Sequence, residues 1–280
     1  VIKILKLEII LFWIAVGFYA ISTFMYVTAL TFKKEKFFPK ATLLVKIGLV
    51  VHSIALIARW IEVGHGPYMT PYEVLSSNAW MSTVAFLLLQ YRNKKLRVLG
   101  TFVMPAVFIM VGIAVMSSAE AGNVPSSFLL YWLIVHVLFA KLAYGSSMIS
   151  GGLAGLYLYK ERSDRLNKSN YLLDKLPSIE QLDVLSYKFG AFAFIMLGVM
   201  IASGAVWANK AWGRYWGWDP VETWAFISWL IYALYLHLRV MIGWRGKKAA
   251  WLAVFSFLMV VFSYFGITFI YPTVHENLTV

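Results

Sequence analysis

Hydrophobic positions along the 280-residue chain fall into long unbroken runs rather than into the three-to-four spacing of surface helices or the alternation of half-buried strands. Eight such runs occupy residues 9–31, 41–61, 75–91, 98–116, 128–159, 184–208, 221–240 and 249–271. About twenty apolar residues in helical form cross the hydrocarbon core of a bilayer, so each run predicts one crossing. The expected fold is all-α: a polytopic integral membrane protein with about eight transmembrane helices, residues 1–280 forming a single membrane domain. Composition agrees, since 61% of residues are hydrophobic and only 14% charged, with a mean hydropathy of +0.72, whereas a soluble domain is about one quarter charged. The first run is too long for a signal peptide and lacks a small-residue cleavage site, so it reads as a retained span.

The polar connections alternate in charge. Lys33, Lys34, Lys36 and Lys40 follow the first run, Arg92, Lys94, Lys95 and Arg97 the third, Lys160, Arg162, Arg165, Lys168 and Lys175 the fifth, and Arg239, Arg245, Lys247 and Lys248 the seventh. These are seventeen of the 25 basic residues, and the opposite connections carry only Lys210 and Arg214. Lysine and arginine accumulate on the cytoplasmic side. Both termini and the connection holding Lys210 and Arg214 are therefore expected outside, with Lys3 and Lys6 as a mild counterweight. On this reading the net charge of +12 reports topology, and no nucleic-acid partner is expected. Residues 160–183 form the one sizeable inner stretch, a cytoplasmic loop whose Pro177-Ser178-Ile179-Glu180-Gln181 has the spacing of a capped surface helix. The chain has no cysteine, which excludes disulfides, thiolate metal sites and covalent haem attachment to this chain.

Six of the twelve tryptophans lie within residues 207–229: Trp207, Trp212, Trp216, Trp218, Trp224 and Trp229. An interfacial belt places one or two at each helix end; crowding into one external segment calls for another cause. Gly213 and Gly217 let the backbone approach something flat, and Asp219-Pro220 marks a helix start. Indole faces and N–H groups, with Arg214 or Lys210 to meet carboxylates, suit a large planar apolar ligand with an acidic edge. Haem has that shape; a sterol or quinone would be flat but needs no metal ligand.

Histidine depth then discriminates. His136 lies about 12 Å below the external surface at 1.5 Å per residue, and His275 follows the last run on the same side. Both are placed to ligate one iron at the Trp-rich segment. His237 sits about 24 Å from the external end of its run and belongs to a separate inner site. His52, near the middle of the second run, is a weaker candidate for that inner site, and His65 in Gly64-His65-Gly66-Pro67 reads as a loop-shaping residue. Two neutral imidazoles on one iron leave no open position, as befits a carrier.

The stretch Trp212-Gly213-Arg214-Tyr215-Trp216-Gly217-Trp218-Asp219 matches the WGxxWxWD signature of haem-handling proteins. Its continuation through Pro220-Val221-Glu222-Thr223-Trp224 to His237-Leu238-Arg239 resembles the CcsA (ResC) family of System II cytochrome c biogenesis, as do residues 59–67 with Tyr72-Glu73 and residues 204–208. The likeness extends from about Leu44 to the C-terminal end. It implies a haem-binding and haem-transporting subunit of holocytochrome c synthase, a haem lyase, acting with a CcsB (ResB) membrane protein. Such a subunit presents non-covalent, bis-His haem b at the external face for thioether attachment to the Cys-x-x-Cys-His motif of apocytochrome c. By the same resemblance His136 and His275 hold the external iron and His237 the inner one. Trp207, Trp212, Arg214, Trp216, Trp218, Asp219 and Trp224 form the haem-binding surface of this WWD segment. The implied location is an inner, plasma or thylakoid-type membrane with that segment outside. The sequence following His275 departs from the family's usual Ser-Tyr-Gly, with Glu276-Asn277 in its place.

Two rival readings differ in what they require. A haem exporter of the CcmC type shares the Trp-rich motif but lacks ligation activity. A solute transporter expects paired charges at mid-membrane, whereas Lys46 and Lys141 are the evident intramembrane charges in the sequence and have no obvious acidic partners.

Overall fold

The computed structural model describes residues 2–117, 131–167 and 176–270, and among them the chain is all-helical. Eight long helices are α1 (Ile2–Thr31), α2 (Phe37–Val63), α3 (Pro71–Arg92), α4 (Gly100–Met116), α5 (Tyr131–Arg165), α6 (Ile179–Trp212), α7 (Pro220–Val240) and α8 (Lys247–Val261). A 3₁₀ segment, Lys94–Leu99, leads into α4, and a π-turn, Phe262–Gly266, carries α8 into one further turn, Ile267–Ile270. The chain is a polytopic membrane protein: seven helical segments, all but α3, are long and apolar enough to cross a bilayer. No strand occurs among the described residues, as expected where every backbone polar group must be satisfied within its own segment.

Helices α1 to α4 belong to one compact unit and α5 to α8 to a second. In the first, α2 packs along α1, and α4 lies against α1 and α3. Helix α3 has the length of a span, yet its inward face is polar: Ser76, Ser77, Asn78, Ser82, Thr83 and Gln90 are all buried. Those groups lower its hydropathy, and their partners come partly from α2 and partly from carbonyls of α3 itself. Ser76 Oγ meets His52 Nε2 at 2.9 Å, Ser77 donates to the Glu73 carbonyl at 2.6 Å, and Thr83 to that of Ala79 at 2.8 Å. The start of α3 is fixed by Thr70, which accepts from Glu73 N in a capping box, with Pro71 at the first helical position.

The first unit also holds charges. Arg59 and Glu73, 1% and 0% exposed, pair through Nε and Oε1 at 2.9 Å, and the Tyr72 hydroxyl donates to buried Glu8. These groups, together with Arg239 and Asp183 in the second unit, correct the expectation that Lys46 and Lys141 were the evident intramembrane charges. The apolar runs conceal them because each lies near a run's end, within reach of a partner of opposite sign.

In the second unit α5 packs along α6 and against α8. Gly151 is where α5 meets α8, since a Cβ there would lie 2.7 Å from Phe257 Cβ. Hydroxyls tie the bundle together: Ser150 donates to the Ser186 carbonyl at 2.9 Å, Ser186 to that of Ser150 at 3.0 Å, and Ser147 meets Tyr232 at 2.6 Å. Helix α5 continues to Arg165 and α6 begins at Ile179, capped by Ser178 accepting from Gln181 N. The connection expected over 160–183 is therefore shorter, because both spans extend into it as helix. At the other end of α6, Trp207 and Trp212 are helical, so the expected external loop shrinks to residues 213–219.

Candidate haem site in the second unit

Three elements bring the Trp-rich residues together. Helix α6 ends where Gly213 takes a left-handed conformation (φ 74°) and its N–H closes on the Asn209 carbonyl at 2.9 Å. Helix α7 begins with a capping box of Asp219 and Glu222, with Pro220 at the first position. The seven residues between run from one cap directly into the next.

Glu222 does more than cap. Its Oε2 accepts from Gly217 N at 2.8 Å and from Asp219 N at 3.3 Å, so one carboxylate pins the backbone on both sides of Trp218. Trp218 itself has φ 55°, a left-handed conformation that costs a non-glycine residue about 1–3 kcal/mol. Its indole is 69% exposed. The strain is held by the clamp, and what it secures is an outward-facing indole. Arg214 is also exposed, and its guanidinium lies across Gly217, where a Cβ would come within 2.2 Å of it. Asp219 is buried at 7% exposure with its carboxylate on Val221 N at 2.9 Å; its place is the helix start rather than the open surface expected of a haem contact.

The aromatic rings divide into two sets. Trp216 meets Trp218 edge-on at 5.7 Å and Phe226 at 6.1 Å, and Trp224 packs edge-on at 4.9 Å against Phe262 of the π-turn. Trp207 is buried at 4% exposure, edge-on to Trp212 at 4.9 Å and stacked on the His136 ring at 6.4 Å and 16°. Trp229 lies deeper, stacked on Phe194 at 5.1 Å, and serves packing.

His136 is oriented from α6. Its Nδ1 lies 2.8 Å from the Met200 carbonyl oxygen, which can only accept, so Nδ1 carries the proton. In the neutral ring the lone pair then belongs to Nε2, the arrangement by which proteins prepare an imidazole for a metal. Gly204 makes room: a Cβ there would fall 2.6 Å from His136 Nδ1. The sequence reading missed Gly204 and Met200; the resemblance over residues 204–208 marked the place without its cause.

The other histidines separate. His237 is exposed on α7, on the same outward strip as Leu230, Leu234 and Met241. His52 is fully buried in the first unit with both ring nitrogens engaged, Nδ1 on Tyr19 and Nε2 on Ser76. That is a satisfied core histidine, which removes it as an inner ligand. His65 donates from Nδ1 to the Gly66 carbonyl at 2.9 Å and shapes its loop. His275 lies outside the described residues. Among the described residues no cluster of three metal-ligating side chains occurs, and His136 and His237 stand on different helices, α5 and α7.

The cytochrome C assembly protein family pattern matches residues 68–275, the span that contains every one of these Trp-rich residues. The chain belongs to that family. It is a homologue of CcsA cytochrome c biogenesis proteins. One from Prochlorococcus marinus is 33% identical over 268 residues, covering 88% of this chain and 86% of that protein. Another from Cyanophora paradoxa is 33% identical over 318 residues and covers 98% of each. The fold also resembles a solved structure, the cytochrome c heme lyase CcmF, with a TM-score of 0.70 at 15% identity. That likeness covers 97% of this chain and 48% of CcmF, so this family member spans about half of it.

Proposed function

We propose that this CcsA homologue is the haem-binding and haem-transporting subunit of a holocytochrome c synthase, working with a CcsB-type membrane partner. The observation that carries the reading is His136: a ring aligned with Trp207 at the head of the Trp-rich segment, its Nδ1 proton committed to a backbone carbonyl. Haem is the substrate here. Trp216 and exposed Trp218 offer faces to the porphyrin, and Arg214 a bidentate donor to a propionate. His275 is the second axial ligand at this site. The apocytochrome supplies two thiols and haem two vinyl groups; each thioether forms as an S–H adds across a C=C bond, so no redox partner is consumed by the addition itself.

What the chain contributes is orientation. Holding two reacting pairs at contact distance is worth several kcal/mol of barrier, about 7–11 in well-aligned cases. His237 is the inner ligand, and its outward exposure leaves its iron's second ligand to come from the partner. The positive-inside rule sets the Trp-rich segment on the external face and the His237 end of α7 toward the cytoplasm.

The test is co-expression of the chain and its partner with an apocytochrome c. His136→Gly and Trp216→Ala are each expected to lower bound haem and holocytochrome yield, the purified wild-type complex showing the sharp reduced bands of bis-His haem. Unchanged haem and yield in both variants would overturn the external-site reading.

A further inference from the structure

A second site lies in the first unit, away from the Trp-rich segment. A cavity of about 520 Å³ opens between α2 and the end of α3 with the 3₁₀ segment that follows. Its inner wall is apolar, built from Leu49, Val84, Leu87 and Leu88. Its rim carries Lys46, Lys94 and Arg97, and no Asp or Glu is among its ten lining residues. Gln90 also lines it, is 4% exposed, and its Nε2 has no hydrogen-bond partner. Thr42 donates to Gln90 Oε1 at 3.2 Å and receives a 2.8 Å bond from Tyr26, so the amide is held by its carbonyl end while its buried N–H₂ end, beside the cavity wall, has no acceptor.

We propose that this cavity binds the headgroup of an anionic phospholipid. Three cations around one apolar recess repel one another unless an anion joins them, and a buried amide donor without an acceptor is destabilising unless a ligand supplies one. A phosphate diester answers both needs, and its acyl chains continue along the apolar wall. The opening faces the bilayer, since Leu88 is 63% and Tyr91 82% exposed, beside α2 residues Leu43 and Val50 at 58% and 61%. Lys46, about 13 Å along α2, reaches to the rim by its long stem as lysines near helix ends do. Basic pockets between spans at the Lys/Arg-rich end are where anionic headgroups collect. Haem fits less well, because none of the lining residues is His, Met or Cys and the one tyrosine, Tyr91, is turned outward at 82% exposure.

The experiment is native mass spectrometry of the full chain in nanodiscs of phosphatidylglycerol or phosphatidylcholine, with melting followed in the same samples. Wild type is expected to retain one phosphatidylglycerol that phosphatidylcholine does not replace, and to melt higher with it. Each of Lys46→Gln, Lys94→Gln and Arg97→Gln should weaken retention about fivefold, and Gln90→Leu should weaken it while leaving all three charges in place. Equal retention of the two lipids by wild type overturns the proposal whether or not any variant folds. So does a folded triple-Gln variant that keeps its phosphatidylglycerol, or displacement of the lipid by haemin at stoichiometric concentration.

Discussion

Gly204→Ala separates an imidazole prepared for iron from one merely packed between helices. The added methyl carbon would lie 2.6 Å from His136 Nδ1 and 2.9 Å from Cε1, about 0.8 Å short of the 3.4 Å at which ordinary contact begins. Both Gly204 and Met200 are on α6, so a ring that retreats from the new methyl also retreats from the Met200 carbonyl. The 2.8 Å bond then approaches 3.6 Å, where it no longer counts as one. The loss of one such hydrogen bond costs stability only about 0.5–1.5 kcal/mol, and alanine recovers up to about 1 kcal/mol in helix propensity. Melting should therefore change little. Ligand strength should change much more, because losing the group that orients a metal-bound histidine costs about 10–100-fold in affinity. Haem retention by the purified complex, read from the Soret to protein absorbance ratio during dilution, is the assay. Gly155→Ala on α5, where a Cβ meets nothing within 4 Å, is the matched control. If Gly204→Ala holds haem as tightly as Gly155→Ala and matures cytochrome c equally, the oriented-ligand reasoning is wrong.

Three further outcomes follow from the same geometry. Glu222→Ala removes the acceptor from both peptides flanking Trp218 and should cost about 1–2 kcal/mol in thermal unfolding, with quenching of Trp fluorescence altered; unchanged melting and quenching would show that the clamp does not hold the loop. Asp183 also accepts from Gly246 N at 3.2 Å, so Arg239→Ala leaves that carboxylate without its buried cation and should destabilise by about 3–5 kcal/mol, while a variant that melts like wild type would refute the pairing. His237→Ala, being exposed, should leave the fold intact yet lose the inner haem from the complex and lower maturation until imidazole is added; full haem and maturation without imidazole would return it to a lipid-facing role.

The spans and the Trp-rich signature were legible because both are local in sequence. An apolar run announces a membrane helix wherever its neighbours lie, and a capping box with Pro at the next position announces a helix start, as at Asp219-Pro220. Helix ends were unevenly legible: the capped start at Ser178 was readable, but α5 extends to Arg165 into the expected 160–183 loop, since charged residues such as Lys160 and Glu161 continue a helix once it has begun. Helix α3 was legible as a helix, but its buried polar face was not, because a serine or glutamine in a span reads the same whether it faces lipid or a partner.

The sequence by itself determined the solvent, the number and order of the helices to within one connection, the family and the residue types able to hold haem. Only the tertiary structure decided which of those residues are free to act. His52 and His136 are both histidines within spans, yet one spends both nitrogens inside the first unit and the other is turned by a carbonyl 64 positions away in the chain. Partners so distant are chosen by helix packing, where a single glycine sets how closely two helices approach, and periodicity along one helix carries no record of what stands across from it.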